Sequence, residues 1–191
     1  MLIIARHGRT VANASGELLG RRDPGLDEVG ALQASAIGAS LRAVDRVISS
    51  PLLRCRQTAA AIGLPVETDE RLIELDYGEL EGTPVADVLP ETWAAWRADT
   101  AWRPAGGESL DDLAARVWPA LSELIEEAAH RDVVVVSHVS PIKAAIAWAL
   151  GVGIETQWRC FVQQASISRI ASRAGTPALH SFNEVHHLPT E

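Results

Sequence analysis

The stretch Val133-Val134-Val135-Val136-Ser137-His138 decides the fold class. Its four valines form an unbroken β-branched run, which is typical of a strand that is buried on both faces of a sheet. We therefore predict a central strand whose carboxyl end is followed by His138. A second apolar run, Met1–Ala5, predicts another core strand, and it leads directly into Arg6-His7-Gly8.

Further strands and helices alternate along the chain. The hydrophobic patterns predict strands at Val44–Ser50, Ser166–Ala171 and Ala178–Phe182, the last two separated by a turn at Arg173–Pro177, and helices at Ala31–Leu41, Leu52–Ile62, 110 to about 129 and Pro141–Leu150. The spacing of Ser109 and Asp112 resembles a capping box that begins the third helix. This alternation predicts an α/β fold, a three-layer α/β/α sandwich with a mostly parallel central sheet.

Composition narrows the class of protein. A chain of 191 residues, 47% hydrophobic, is expected to fold as one domain spanning residues 1–191. The formal charge of 17 − 25 = −8 disfavours a nucleic-acid surface, and no apolar run approaches the roughly 20 residues that span a bilayer. Met1 leads straight into a core strand, so we expect a cytoplasmic protein with reduced thiols at Cys55 and Cys160.

One segment lacks the regular alternation of strands and helices. Residues 79–107 contain Trp93, Trp96 and Trp102 among short helical pieces and turns. Two interpretations are open for this segment. It forms a lid or side wall over a pocket, or its tryptophans pack a small satellite core.

Basic side chains follow three of the predicted strands. Arg6 and His7 follow the first strand, Arg54 lies shortly after the second, and His138 follows the four valines. Because ligands bind at the carboxyl ends of parallel strands, we expect these side chains to meet at one edge of the sheet. Two guanidinium groups and two imidazoles at one place favour the binding of a small phosphate.

The same residues belong to six ordered motifs. These are Ala5–Thr10 with Asn13, Asp23–Gly30, Ser49–Arg54 with Thr58-Ala59, Leu72–Glu74 continuing through Gly78 to Glu81-Gly82, Gly106–Ser109, and Val136–His138. In this order they resemble the histidine phosphatase superfamily, the phosphoglycerate-mutase-like group (branch 1), over nearly the whole chain. The resemblance implies a phosphoglycerate-mutase-like fold.

The resemblance also implies roles for individual residues. His7 matches the nucleophile, Glu74 the proton donor, and Arg6, Arg54 and His138 the phosphate clamp. Asp76, Glu79 and Glu81 are rival acids near Glu74. The other phosphate-binding positions are Thr10, Asn13 and the backbone N–H of Val139, where the family commonly has glycine. Arg21 and Arg22 are candidates for contacting the outer part of a substrate, and no metal or cofactor is implied.

The expected activity follows from this set of residues. We expect a phosphomonoesterase that hydrolyses a small phosphorylated metabolite through a phosphohistidine. A phosphoglycerate mutase is the alternative within the family, and a non-catalytic phosphate-ligand binding module is the alternative from another class. The phosphorylated substrate is the expected partner, with neither nucleic acid nor membrane, and a homodimer is left open.

Overall fold

A mostly parallel sheet lies at the centre of the molecule. The computed structural model describes residues 1–173 and 176–189, and within these ranges six strands form one sheet. The strands are β1 (Leu2–Arg6), β2 (Arg46–Ser49), β3 (Val66–Thr68), β4 (Val133–Ser137), β5 (Ile167–Arg173) and β6 (Thr176–Glu184), in the order β3-β2-β4-β1-β5-β6. The first four strands in this order pair in parallel. β5 pairs antiparallel with β1, and β6 pairs antiparallel with β5. The turn predicted between β5 and β6 includes residues 174 and 175, which lie outside the described ranges.

Helices cover both faces of this sheet. They are α1 (Val11–Ala14), α2 (Glu28–Ser40), α3 (Leu53–Ala60), α4 (Pro90–Ala98), α5 (Leu110–Glu127) and α6 (Val139–Leu150), with short 3₁₀ helices at Glu70–Leu72, Gly78–Leu80, Val85–Asp87 and Ile154–Arg159. One core cluster joins the sheet to α5 and α6, and the other joins it to α2 and α3. The predicted three-layer α/β/α architecture is therefore confirmed. In the described part of the chain, every helix is too short or too polar to cross a membrane.

The central position predicted for the four-valine strand is also confirmed. β4 pairs with β1 on one side and with β2 on the other, and all five of its residues are buried. Successive side chains of a strand point to opposite faces. Accordingly, Val133 and Val135 belong to one core cluster, and Val134 and Val136 belong to the other. Burial on both faces explains why this strand shows no polar alternation.

Some element boundaries differ from the predictions. α6 begins at Val139 and not at Pro141, because a proline is tolerated throughout the first helical turn, where backbone N–H groups have no partner within the helix. α2 begins at Glu28, three residues before the predicted start, because the Asp27 side chain caps its N-terminus. The short edge strand β3 was not predicted. The capping box of Ser109 and Asp112 is confirmed.

The tryptophans of the 79–107 segment pack onto the main core. Trp96 lies on α4, is 2% exposed and belongs to the cluster formed with α5 and α6. Trp93 stacks on it with ring centroids 5.7 Å apart and an interplanar angle of 12°, and Trp102 packs at 5.4 Å. The satellite-core interpretation is therefore wrong, because the indoles extend the main core.

Two glycines allow the loop after β1 to approach α2. A Cβ at Gly8 would lie 2.4 Å from the carbonyl oxygen of Gly30, and a Cβ at Gly30 would lie 2.0 Å from that of Arg9. The Asp27 side chain accepts hydrogen bonds from the Gly30 N–H and the Arg9 guanidinium. Only glycine fits these two positions, and the contact fixes the loop that follows His7.

We predict that Gly30→Ala destabilises the fold. In a helix without steric conflict, alanine is favoured over glycine by about 1 kcal/mol. Here the added methyl group collides with the Arg9 backbone, so the free energy of unfolding should fall by about 1–3 kcal/mol. Urea unfolding measures the change. Gly25→Ala is the matched control, because its nearest neighbour is the flexible Gln57 side chain at 3.0 Å. Equal or greater stability of the Gly30→Ala variant would contradict the close contact.

Candidate active site

His7 lies directly after β1 and is 3% exposed. Its backbone N–H donates to the Ser137 carbonyl at 3.1 Å, which continues the pairing of β1 with β4 past the strand ends. Its Nδ1 lies 2.7 Å from the Gly8 carbonyl oxygen. A carbonyl oxygen can only accept, so Nδ1 carries the proton and Nε2 keeps its lone pair. The imidazole is therefore held in the tautomer that leaves Nε2 nucleophilic.

Gly8 is in turn held by α3. The Gly8 N–H donates to Thr58 Oγ1 at 3.0 Å, and that hydroxyl donates to the Arg54 carbonyl at 2.8 Å. The side chain that orients His7 through Gly8 is thus Thr58, one of the motif residues. The tautomer of His7 depends on this chain of contacts between the β1 loop and α3.

Arg54 and His138 lie beside His7 in the interior. The fully buried Arg54 donates from Nη1 to the Arg22 carbonyl and from Nη2 to the Gly20 carbonyl, each at 2.8 Å. Its Nε donates to His138 Nδ1 at 3.2 Å. A guanidinium has no acceptor, so in the neutral His138 ring the proton lies on Nε2, which is 2.7 Å from Ser50 Oγ.

The structure brings the two imidazoles together. The ring centroids of His7 and His138 are 5.0 Å apart, with an interplanar angle of 63°. β1, β4 and β2 end in register, since Arg6 pairs with Ser137 and Ser49 pairs with Val136. This register is the reason that residues distant in sequence meet at one edge of the sheet.

Arg6 and Asn13 extend the polar wall. Arg6 donates from Nη1 to the Val162 carbonyl at 2.7 Å, and its buried Nε has no partner among the described residues. Thr10 and Asn13 form a capping box at the start of α1. The Asn13 amide oxygen accepts from both the N–H and the hydroxyl of Thr10. The amide nitrogen of Asn13 is then the group left to bind a ligand, whereas the fully buried Thr10 hydroxyl is used within the cap.

Glu74 is the carboxyl group nearest to this set. It is 3% exposed, and its Oε1 accepts from the backbone N–H groups of Leu75 at 2.8 Å and Ser140 at 3.1 Å. Ser140 lies in the first turn of α6, so the N-terminus of that helix holds the carboxyl group.

The rival acids have other contacts. Glu79 is exposed. Asp76 accepts from the Gly78 N–H at 2.9 Å. Glu81 accepts from the N–H groups of Gly20 and Arg21, both at 2.8 Å, and so holds the loop whose carbonyl groups bind Arg54.

A cavity of about 200 Å³ connects these groups. Its lining residues are Arg6, His7, Asn13, Glu17, Leu18, Leu19, Glu74, Tyr77, Val85 and Val139. Five of the predicted site residues line this cavity, namely Arg6, His7, Asn13, Glu74 and Val139. Arg54 and His138 lie behind this wall with no exposed surface. Tyr77 was not predicted, because no motif distinguishes it from a core aromatic residue.

Burial controls the charge states at this site. Burial, reinforced by Arg54 and Arg6, lowers the pKa of His7 well below its usual value, and burial with Arg54 does the same for the pKa of His138. Burial raises the pKa of the Glu74 carboxyl and lowers the pKa of Arg6 to about 10. Both imidazoles are therefore held neutral, and the carboxyl group is biased toward its protonated form.

Val139 occupies a helical position. It is the first residue of α6, where backbone angles are those that a β-branched residue readily adopts. The departure from glycine therefore changes the cavity wall and leaves the loop conformation unstrained.

Arg21 and Arg22 do not line the cavity. Arg22 pairs with Glu17 and Glu81, and Arg21 Nη2 lies 3.4 Å from Glu108 Oε2. Their predicted contact with a substrate stays a prediction.

The thiols and other possible metal ligands are also placed. Both cysteines are free. Cys55 is fully buried with its Sγ 3.3 Å from His138 Nε2, and Cys160 is half-buried. Within residues 1–173 and 176–189, no three His, Cys, Asp or Glu side chains are grouped so that they could hold a metal ion.

Known proteins share this sequence pattern and fold. A bifunctional protein of Mycobacterium tuberculosis, Rv2228c, is 37% identical over 198 residues, covering 98% of this chain and 54% of its own length. The chain thus spans about half the length of that relative. A mycobacterial glucosyl-3-phosphoglycerate phosphatase, Rv2419c, solved in complex with VO₃, superposes with a TM-score of 0.87 at 32% identity, covering 96% of this chain and 98% of that one.

A phosphoserine phosphatase of Entamoeba histolytica, solved with 3-phosphoglyceric acid, superposes with a TM-score of 0.91 at 27% identity, covering 98% of each chain. The sequence model of the "Histidine phosphatase superfamily (branch 1)" matches residues 2–185. On this match and the shared fold, the chain belongs to branch 1 of the histidine phosphatase superfamily.

Proposed function

We propose that this protein hydrolyses phosphomonoesters of small metabolites by transferring the phosphoryl group to His7. One observation carries the proposal: the Gly8 carbonyl accepts the Nδ1 proton, so the Nε2 lone pair of a neutral imidazole is available in a cavity that Arg6 and Glu74 also line. The phosphatase names of the similar mycobacterial and Entamoeba proteins support the same reaction class.

The first step forms the bond from His7 Nε2 to phosphorus and breaks the ester P–O bond. Glu74 gives its proton to the departing alkoxide. The His7 ring becomes cationic when its Nε2 is phosphorylated, and the Gly8 carbonyl stabilises that charge by accepting from Nδ1–H. In the second step, water attacks phosphorus, the Glu74 carboxylate takes a proton from it, and phosphate leaves neutral His7 behind.

The basic groups around His7 bind the phosphoryl oxygens. Arg6 contributes its unpartnered Nε–H and Asn13 its amide nitrogen. Arg54 and His138 form the deep side of the clamp, and Val139 gives its backbone N–H. Because Arg54 donates to Nδ1 of His138, its Nε2–H is the group that can bind the phosphate. We propose that this N–H changes its hydrogen-bond acceptor from Ser50 Oγ to a phosphoryl oxygen when the substrate binds.

The Glu81 carboxylate positions the clamp without contacting the phosphate. It holds the 20–22 loop, whose carbonyl groups hold Arg54. Arg21 and Arg22 are proposed to contact only the outer part of a substrate. A cytoplasmic location agrees with two free thiols, because such thiols persist in a reducing compartment.

We predict that His7→Ala abolishes the release of inorganic phosphate from p-nitrophenyl phosphate, because no nucleophile remains. Intact-mass spectrometry after an alkaline quench should detect a phosphoenzyme in the native protein and none in the variant. His130→Ala is the control, since His130 is exposed in the turn that follows α5. Undiminished hydrolysis by His7→Ala would refute the proposal, and isomerisation of 3-phosphoglycerate without phosphate release would identify a mutase.

We predict that Glu74→Gln lowers kcat by about 10²- to 10⁴-fold on an alkyl phosphate, the usual contribution of a general acid. The loss should be smaller on p-nitrophenyl phosphate, because nitrophenolate leaves without a proton. Steady-state kinetics on both substrates measure the difference. Glu79→Gln is the matched control on the exposed rival acid. Equal losses on the two substrates would argue against proton donation by Glu74.

The pH profile tests the charge states. The reaction needs neutral His7 and protonated Glu74. Because the pKa of His7 is lowered, the imidazole stays neutral down to pH values well below its usual pKa. Because the pKa of Glu74 is raised, its proton persists above the usual range of a carboxyl group. We expect kcat/KM for an alkyl phosphate to be maximal at mildly acidic pH and to fall toward alkaline pH. An activity that rises steadily into the alkaline range would contradict this assignment.

A further inference from the structure

A second cavity adjoins the one that contains His7. It has a volume of about 180 Å³, and its lining includes Leu18, Tyr77 and Val139, which also line the first cavity. Its remaining wall consists of Leu75, Trp93, Trp96, Ser140, Lys143, Gln157 and Trp158. Three residues thus line both spaces, which places the second cavity directly beside the one that contains His7.

Lys143 is the charged residue of this second cavity and the sole lysine of the chain. It lies half-buried on α6, one turn after Val139. Nine arginines form salt bridges with carboxylates, whereas Lys143 has no carboxylate within salt-bridge distance among the described residues. Burial lowers the pKa of its ammonium group, and the nearby Cys160 and Glu74 side chains oppose this shift only in part, so its positive charge carries a net desolvation cost.

The surroundings of Lys143 favour an anionic ligand. None of the residues that line the second cavity is acidic. Trp93, Trp96 and Trp158 make much of the wall aromatic, and such a wall strengthens a charge pair by excluding water. The buried indole N–H groups of Trp96 and Trp158 also have no hydrogen-bond acceptor among the described residues.

We propose that the second cavity is a carboxylate-binding subsite and that Lys143 selects phosphomonoesters whose alcohol portion carries a carboxylate. The proposal rests on the proposed phosphatase activity, and it names the substrate class. A carboxylate matches the single ammonium group in charge. A second phosphate dianion would leave one negative charge unpaired against an apolar wall.

The test compares two ligands that differ at one group. In 3-phosphoglycerate a carboxylate replaces the hydroxymethyl group of glycerol 3-phosphate, so the ratio of their inhibition constants against p-nitrophenyl phosphate isolates the carboxylate. We expect the native protein to bind 3-phosphoglycerate more tightly. Lys143→Met should weaken its binding about 10- to 100-fold relative to glycerol 3-phosphate, as expected for a hydrogen bond between charged groups. Lys143→Arg should retain much of the preference.

Arg97→Met provides the matched control. The exposed Arg97 guanidinium lies 5.7 Å from the ring centroids of Trp93 and Trp158, but it does not line the cavity. Its removal deletes a neighbouring positive charge and should leave the ratio within about twofold, as usual for a screened surface charge. An unchanged ratio in Lys143→Met, or equal weakening of both ligands, would overturn the subsite. A failure of the proposed phosphatase mechanism would show in a different measurement. In that case His7→Ala would hydrolyse p-nitrophenyl phosphate as fast as the native protein.

Discussion

The Arg54 guanidinium is fully buried and donates to the carbonyl groups of Gly20 and Arg22 rather than to a carboxylate. Carbonyl oxygens fix its position without cancelling its charge. The positive charge of Arg54 can therefore attract a bound anion. The same charge contributes to the lowered pKa values of His7 and His138. A carboxylate partner in the same place would position Arg54 equally well but would remove the attraction for phosphate.

Burial then supplies the rest of the chemical bias. Desolvation disfavours every charged form, so it keeps His7 neutral and makes the Glu74 carboxyl harder to ionise. These are the two forms that nucleophilic attack and proton donation require. The N-terminus of α6 opposes this trend by donating the Ser140 N–H to Glu74, which stabilises the carboxylate that the proposed proton donation would leave.

The ends of the strands could be predicted from the sequence, because an apolar run and the polar residues that end it are adjacent in the chain. The apolar run before Arg6-His7 and the four valines before His138 each predict a strand and its end, and parallel topology then brings the ends together. The contacts that orient these residues were not predictable. Thr58 Oγ1 reaches Gly8 across 50 positions, and Ser50 Oγ reaches His138 across 88. The first contact depends on how α3 packs against the sheet, and the second depends on the pairing of β2 with β4. No periodicity within one segment encodes either arrangement.

The start of α6 shows how a small error in a boundary obscures function. A helix beginning at Pro141 would place Val139 in a loop, with no defined relation to Lys143. With the helix beginning at Val139, the two residues are four positions apart and lie on the same face, one turn from each other. The same first turn presents the Ser140 N–H to Glu74. One helix thus holds the proposed acid, contributes Val139 to the lining of both cavities and carries Lys143, which has no carboxylate partner among the described residues. Because of this arrangement, the bulk at position 139 affects both the room beside the phosphate and the access to Lys143.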